Sequence, residues 1–325
     1  MRALITGGTG FLGSNLAAAL VNRGWTVRIL RRQNSSLRAL EGIPVEEAIG
    51  DILDPPSLCS AMQNCQTVFH AAGLAQYWRV PRETVYQVNV DGTRNVLQAA
   101  QSVGVERVVH TSSIAAFGIP ETALVNETHG FPATSEGWAY GHSKYLAEQE
   151  VAIAVAQGLS AVIVNPAIIM GPRDINFVGG ELVRASLKGQ LRIVPPGGSS
   201  TIHVNDVVYG HIAAAEKGRN GERYILGAQN LTHWEMADTL AQVTGGAKPI
   251  AVLPKATLPM LGWAVDTFNR LRGGTPLVSG EQIRLSAHLF FMDSTKAVTE
   301  LGLPQTPFQK AAQDAWDWYK THKLI

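Results

Sequence analysis

The sequence predicts an α/β fold, a doubly wound parallel sheet with a smaller C-terminal α/β lobe, and three observations predict it. Short apolar runs alternate with longer amphipathic ones through the first half of the chain, which is the pattern of β-α-β units. The apolar runs ALIT, TVFHAA and AVIVN are nearly continuous rather than alternating, as in strands covered by helices on both faces. A glycine-rich run follows the first apolar run directly. With 325 residues, 46% of them hydrophobic, the chain is long enough to bury a sizeable core.

Taken in order, strands are expected at 2–6, 26–30, 45–49, 67–70, 107–111 and 161–165. Between them, 11–22 places Leu12, Leu16 and Leu20 on one helical stripe, 95–103 carries Val96, Leu97 and Ala100, and 140–156 is long and alanine-rich. Gly24, Gly104 and Gly158 follow these helices, where a left-handed residue ends a helix at least cost. After Pro166, the pairs Gly171-Pro172 and Gly179-Gly180 and the run Pro195-Pro196-Gly197-Gly198 cut the chain into short pieces. Thr232 and Glu235 have capping-box spacing, and 224–226 reads as a strand returning to the main sheet. The large domain is therefore expected to comprise 1–166 and 200–227, interleaved with a lobe formed by 167–199 and 228–325. In that lobe, 258–271 places Leu258, Leu261, Val265, Phe268 and Leu271 near helical spacing, with Arg270 and Arg272 beside them. It reads as a packing or lid helix, with a membrane-surface helix as the alternative.

The bulk numbers exclude several classes. Lys plus Arg is 27 and Asp plus Glu is 26, so no basic excess calls for nucleic acid. No run reaches the roughly 18 apolar residues of a membrane span. The two cysteines, Cys59 and Cys65, form no CxxC pair, and His70, His110, His142 and His203 have no metal-ligand spacing. The expectation is a cytoplasmic protein without a metal.

The first chemical motif is Gly7-Gly8-Thr9-Gly10-Phe11-Leu12-Gly13, between the first strand and the first helix. Glycines there let the backbone turn sharply and approach a pyrophosphate, and the helix N-terminus offers unpaired N–H groups. This is the dinucleotide fingerprint of a Rossmann sheet. At the end of the second strand, where NAD proteins carry an acidic residue, TVRILRRQNSS has Arg31 and Arg32. A guanidinium there chelates a 2′-phosphate, so NADP is expected over NAD. Asp51 and Ile52 follow the third strand and are expected at the adenine. Ala71, Ala72 and Gly73 give a small-residue passage beside the cofactor.

Tyr140-Gly141-His142-Ser143-Lys144 puts a phenol and an ammonium four residues apart on one helix face. An ammonium and an oxidised nicotinamide lower a phenol's pKa, so Tyr140 is expected to exchange a proton with a carbonyl oxygen during hydride transfer. Lys144 is placed to bond the nicotinamide ribose. Ser112 or Ser113, after the fifth strand, offers a hydroxyl to the substrate oxygen. Asn89 is expected to support Lys144.

In this order GGTGFLG, NVDGTRN, TSSIAAFG, YGHSK and NPAIIMGP resemble the extended short-chain dehydrogenase/reductase superfamily along essentially the whole chain. GERYILGAQNLTHWEMADTL and FFMDSTKAVTELG are similar to its dihydroflavonol-reductase-like and hopanoid-associated sugar epimerase group. The resemblance implies Ser113 rather than Ser112 as the catalytic serine. It implies Tyr140 as acid-base, Lys144 as its partner and Asn89 as a supporting residue. It places Asn165, Pro166 and the following residues, Ile168 among them, at the nicotinamide, and it implies a homodimer through helices beginning near Val90 and Tyr140. The expected function is reduction of an apolar or aromatic carbonyl, with Tyr77, Trp78, Ile114, Phe117 and Met170 as the expected substrate contacts. The rivals are a nucleotide-sugar epimerase or dehydratase and a non-catalytic NADP-binding sensor. Against the first stands Ser199, where an arginine usually clamps the sugar-nucleotide pyrophosphate. Against the second stands the joint presence of Ser113, Tyr140 and Lys144.

Overall fold

The computed structural model describes residues 1–75, 80–272 and 278–325. In chain order its strands are β1 (Arg2–Thr6), β2 (Thr26–Arg31), β3 (Glu46–Ile49), β4 (Thr67–His70), β5 (Arg107–Thr111), β6 (Ala161–Pro166) and β7 (Ile168–Met170). These are followed by β8 (Ile193–Val194), β9 (Gly198–His203), β10 (Arg223–Leu226), β11 (Gln229–Thr232), β12 (Ala251–Val252) and β13 (Leu289–Phe290). The helices are α1 (Phe11–Asn22), α2 (Pro55–Met62), α3 (Arg82–Tyr86), α4 (Gly92–Ser102), α5 (Ala139–Ala156) and α6 (Glu181–Leu187). Then come α7 (Val204–Lys217), α8 (His233–Thr244), α9 (Leu258–Arg272), α10 (Gly280–Leu285) and α11 (Phe308–Thr321).

The main sheet is parallel, in the order β10-β6-β5-β4-β1-β2-β3. Its strand order reverses between β1 and β4, which is where a doubly wound sheet opens its ligand crevice. The continuous apolar runs have the expected cause. Ala3, Ile5, Ile29, Phe69 and Val109 pack on one face under α1 and α7, while Leu4, Leu30, Val68 and Val108 pack on the other under α2, α4 and α5. Successive strand residues point to opposite faces, and here both faces are core.

One helix differs from expectation and another begins where expected. The helix expected at 95–103 is the end of a longer run: α3 continues through a π-helical turn at Gln87–Asp91 directly into α4. Such turns widen the helix locally and tend to mark functional positions; this one carries Asn89. Helix α8 begins at the expected capping box, where Thr232 accepts from the Glu235 N–H and Glu235 accepts from the Thr232 N–H.

The remaining strands build the smaller lobe. β9 pairs antiparallel with β11 on one edge and parallel with β7 and β13 on the other. Residues 200–203, grouped above with the large domain, are therefore part of the lobe's sheet, and the chain returns to the large layer with α7. A separate core of Met170, Val183, Met236, Leu240, Phe308 and Tyr319 fills the lobe beneath α6, α8 and α11.

Candidate active site

The crevice floor is made by loops at the C-terminal strand ends. Gly7 has φ of 73°, and a Cβ there would lie 2.7 Å from the Ala72 nitrogen. Gly13, in the first turn of α1, would place a Cβ 2.2 Å from the Gly7 carbonyl oxygen. The two glycines thus let β1, α1 and the Ala71-Ala72 segment close to backbone contact, as a pyrophosphate site requires. Helix α1 has Gly10 as its N-cap, no side-chain cap and no acidic residue in its first turn. Its leading N–H groups, from Phe11 onward, remain available to an anion. Thr6 steadies the neighbouring segment: its carbonyl accepts from the Ala71 N–H and its hydroxyl oxygen from the Ala72 N–H. Thr9 lies within this loop. Asp51 accepts from the Leu53 N–H at 3.0 Å, and buried Ile52 packs on Gly92.

Arg31 and Arg32 have different surroundings. Arg31 Nε donates to Glu47 at 2.5 Å, and its Nη1 donates to the carbonyls of Arg32 and Gln33. Arg31 therefore braces the turn and neutralises the adjacent carboxylate. Arg32 is exposed, and its side chain has no partner among the described residues.

A second cluster lies where α5 crosses the end of β5. Tyr140 is half-buried, and its phenol is hydrogen-bonded to Ser113. Burial pushes its phenol above the usual range, and the Ser113 bond opposes that shift. Lys144 is buried with Nζ donating to the Thr111 carbonyl at 3.0 Å. Burial lowers it to about 8, with Glu148 acting in the opposite sense. Asn89 is also buried; its Oδ1 accepts from the Leu74 N–H at 2.7 Å, and its Nδ2 donates to Ser143 Oγ at 2.9 Å. A Cβ on Gly73 would lie 3.2 Å from Lys144 Nζ and 3.3 Å from Asn89 Oδ1. The missing side chain lets the backbone at Gly73 lie directly against both polar groups.

The two serines separate clearly. Ser112 is buried and donates to Glu148 at 2.5 Å, whereas Ser113 faces Tyr140. Glu148 also accepts from Asn165 at 2.6 Å and from Arg223 at 3.2 Å. Asn165 in turn donates to the Ser113 carbonyl at 3.1 Å. Sequence reasoning missed Glu148, although it lies four residues after Lys144 and so on the same helix face. It also missed Gly141, where a Cβ would lie 2.8 Å from the Ala115 carbonyl and 2.6 Å from the Trp138 ring. That glycine lets α5 approach the Ser113 loop. Trp138 and Phe290 form an aromatic wall beside Tyr140, with ring centroids 6.2 Å and 5.8 Å apart in turn.

Three of the expected substrate contacts are enclosed by packing. Met170 belongs to the lobe core, and Phe117 is enclosed in the main core beneath the Arg223 guanidinium. Ile114 is buried in the same core. Packing has taken these three side chains. Tyr77 and Trp78 lie outside the described residues. Pro166 ends β6 at the crevice and Ile168 opens β7, half-buried. No group of three or more potential metal ligands occurs among the described residues. No helix among them is long and apolar enough to cross a membrane.

Comparison with known proteins agrees with this geometry. The family model described as NAD dependent epimerase/dehydratase family matches residues 3–227. A dihydroflavonol 4-reductase-like protein of Synechocystis sp. is 37% identical over 99% of this chain and 95% of its own. Sterol demethylase protein B of Methylococcus capsulatus is 34% identical over 100% of both chains. The crystal structure of gox2253 superposes with a TM-score of 0.86 at 35% identity, covering 99% of this chain and 98% of that one. Gly7 and Gly13 lie in the loop at the crevice floor, Tyr140 and Lys144 share one helix, and the family and its relatives make the chain an NAD(P)-dependent oxidoreductase. The chain belongs to the NAD dependent epimerase/dehydratase family, the extended short-chain dehydrogenases/reductases.

Proposed function

We propose that the protein is an NADPH-dependent reductase of apolar or aromatic ketones and aldehydes, with Tyr140 as the proton donor. The observation that carries this reading is the pairing of Tyr140 with Ser113, beside a buried Lys144 and an aromatic wall. The bound nicotinamide supplies the hydride. Ser113 holds the carbonyl oxygen, and Tyr140, a phenol at neutral pH, donates its proton to that oxygen. Lys144 keeps most of its charge at neutral pH with a pKa of about 8. It stabilises the phenolate left behind, and Asn89 fixes the wall of the site next to it. Burial acts here against the lowering of the phenol pKa expected from the neighbouring ammonium.

Preference for NADPH rests on Arg32, which is exposed and uncommitted, with Arg31 cancelling Glu47. A nucleotide-sugar reaction is disfavoured at Ser199, which is buried in β9 with its hydroxyl donating to the Ser200 carbonyl and brings no cation. The relatives described as a dihydroflavonol 4-reductase-like protein and a sterol demethylase component support a hydrophobic polycyclic substrate class.

The test is Tyr140→Phe, assayed with a ketone that the wild type reduces. Turnover should fall on the order of a hundredfold to ten-thousandfold, with NADPH affinity retained. Full activity in this variant overturns the mechanism. Arg32→Ala should weaken NADPH binding roughly tenfold or more and leave NADH binding nearly unchanged; equal losses for both cofactors would remove the NADPH assignment.

A further inference from the structure

The helix α9 is amphipathic in the inverted sense. Its inner face carries polar groups that are all engaged. Asp266 accepts from the Gly280 N–H at 2.7 Å and pairs with Arg284 at 3.5 Å, and buried Asn269 donates to the Val278 carbonyl at 3.0 Å. Gly262 brings this face into close contact with α10. Its outer face is apolar: Met260 is 71% exposed, Trp263 68%, Phe268 59% and Leu271 84%. At about 100° per residue, Trp263, Met260, Leu271, Ala264, Phe268 and Leu261 follow one another across roughly 160° of surface. Thr267 is the one polar residue within that arc. Arg270 lies at one border and Arg272 at the other.

An exposed apolar face of this size needs an occupant. The charges around it specify which. Both borders are basic, Lys255 precedes the helix, and the helix's single carboxylate, Asp266, is turned inward. A second copy of this chain would bring the same arginines to the rim, where like charges repel. An anionic bilayer surface matches both the apolar arc and its cationic borders.

We propose that α9 is an interfacial membrane-docking helix that seats the protein on anionic lipid surfaces, with Trp263, Phe268 and Leu271 entering the acyl boundary. The helix lies in the interface plane and does not span it. Docking would also bring the catalytic crevice near the bilayer. Helix α10 packs on α9, and β13, which follows α10, carries Phe290 against the Trp138 ring at 5.8 Å. The inference does not depend on the reductase reading, since lipid binding is measured without any substrate.

The test is cosedimentation of the full chain with vesicles of phosphatidylcholine alone and of an equal mixture of phosphatidylcholine and phosphatidylglycerol. Binding should be confined largely to the mixed vesicles and should weaken with added salt. The triple variant Met260→Ser/Phe268→Ser/Leu271→Ser should lower the partition coefficient at least about tenfold. Arg272→Glu should lower it roughly fivefold. NADPH affinity and the thermal midpoint report whether the variants fold. If the triple variant does not fold, Leu271→Ser alone should give a smaller loss in the same direction. No binding of the wild type to mixed vesicles, or equal binding by the folded variants, overturns the proposal. So does a wild-type dimer in light scattering that the triple variant converts to monomer, since the face would then belong to a second copy.

Discussion

At the scale of single residues, the site depends on a buried carboxylate as much as on the groups above it. Glu148 accepts from Ser112, Asn165 and Arg223, and so ties α5 to the ends of β5 and β6. Removing it would take the acceptor from the Ser112 hydroxyl and the carboxylate partner from Arg223, which would keep only the Glu127 and His129 carbonyls. Glu148→Ala should destabilise the fold by about 3–5 kcal/mol, the cost of breaking a buried ion pair on one side, and Glu148→Gln should lose much less. Urea denaturation of the two variants checks this; equal stability would mean that the network contributes nothing. The roles proposed for Tyr140 and Lys144 rest on their four-residue spacing together with the glycine-rich loop and the serines after the fifth strand. The choice between Ser112 and Ser113 could not be made from chemistry alone, because a serine pair at a strand end looks the same whichever hydroxyl a distant glutamate claims.

At the scale of elements, glycines set the distances. The sequence showed the glycines of the β1–α1 loop because their spacing matches a phosphate-binding turn. Gly141 was hidden inside the YxxxK helix, where a glycine is a liability unless something approaches closely. What approaches is the Ala115 carbonyl. Gly141→Ala should push α5 away from the Ser113 loop, costing about 1–3 kcal/mol of stability and lowering kcat more than it raises KM. A variant with wild-type kcat would contradict this placement. The π-helical turn around Asn89 was equally hidden, since the widening depends on tertiary contacts and apolar spacing reports only the regular helix that follows. The expected strands at 2–6, 67–70 and 107–111 recur with the same bounds, because a strand buried on both faces leaves an unbroken apolar signature.

At the scale of the whole molecule, the sheet contains an acid-sensitive row. His70 and His110 are neighbours across β4 and β5, with ring centroids 5.3 Å apart, and His211 reaches Thr111 from α7. Burial lowers all three, His70 to about 3 and His211 to about 4. Each is neutral in the folded chain and protonates in the unfolded chain near 6.5, so the unfolded state binds more protons below that pH. Stability is therefore full above about pH 6.5 and declines as pH falls toward 4, by up to about 1.4 kcal/mol per unit for each histidine. Among the described residues neither ring nitrogen of His110 has a hydrogen-bond partner, so His110→Leu should raise stability at pH 5 more than at pH 8. Urea midpoints at the two pH values decide it, and a uniform change would show that His110 does not contribute to the acid sensitivity.

Side-chain packing limited what the sequence could give in both the lobe and the main core. Met170 and Phe117 are apolar and follow strand ends, as pocket residues do, but only three-dimensional packing reveals that the cores hold them. The central claim concerns net chemistry, and one measurement addresses it directly: the absorbance of NADPH, in excess over enzyme, mixed with a panel of aromatic, steroidal and isoprenoid ketones. Continuous NADPH oxidation with some member of the panel is expected, with one alcohol formed for each cofactor consumed. Cofactor that binds but never turns over in net terms, together with conversion of a nucleotide sugar, would contradict it.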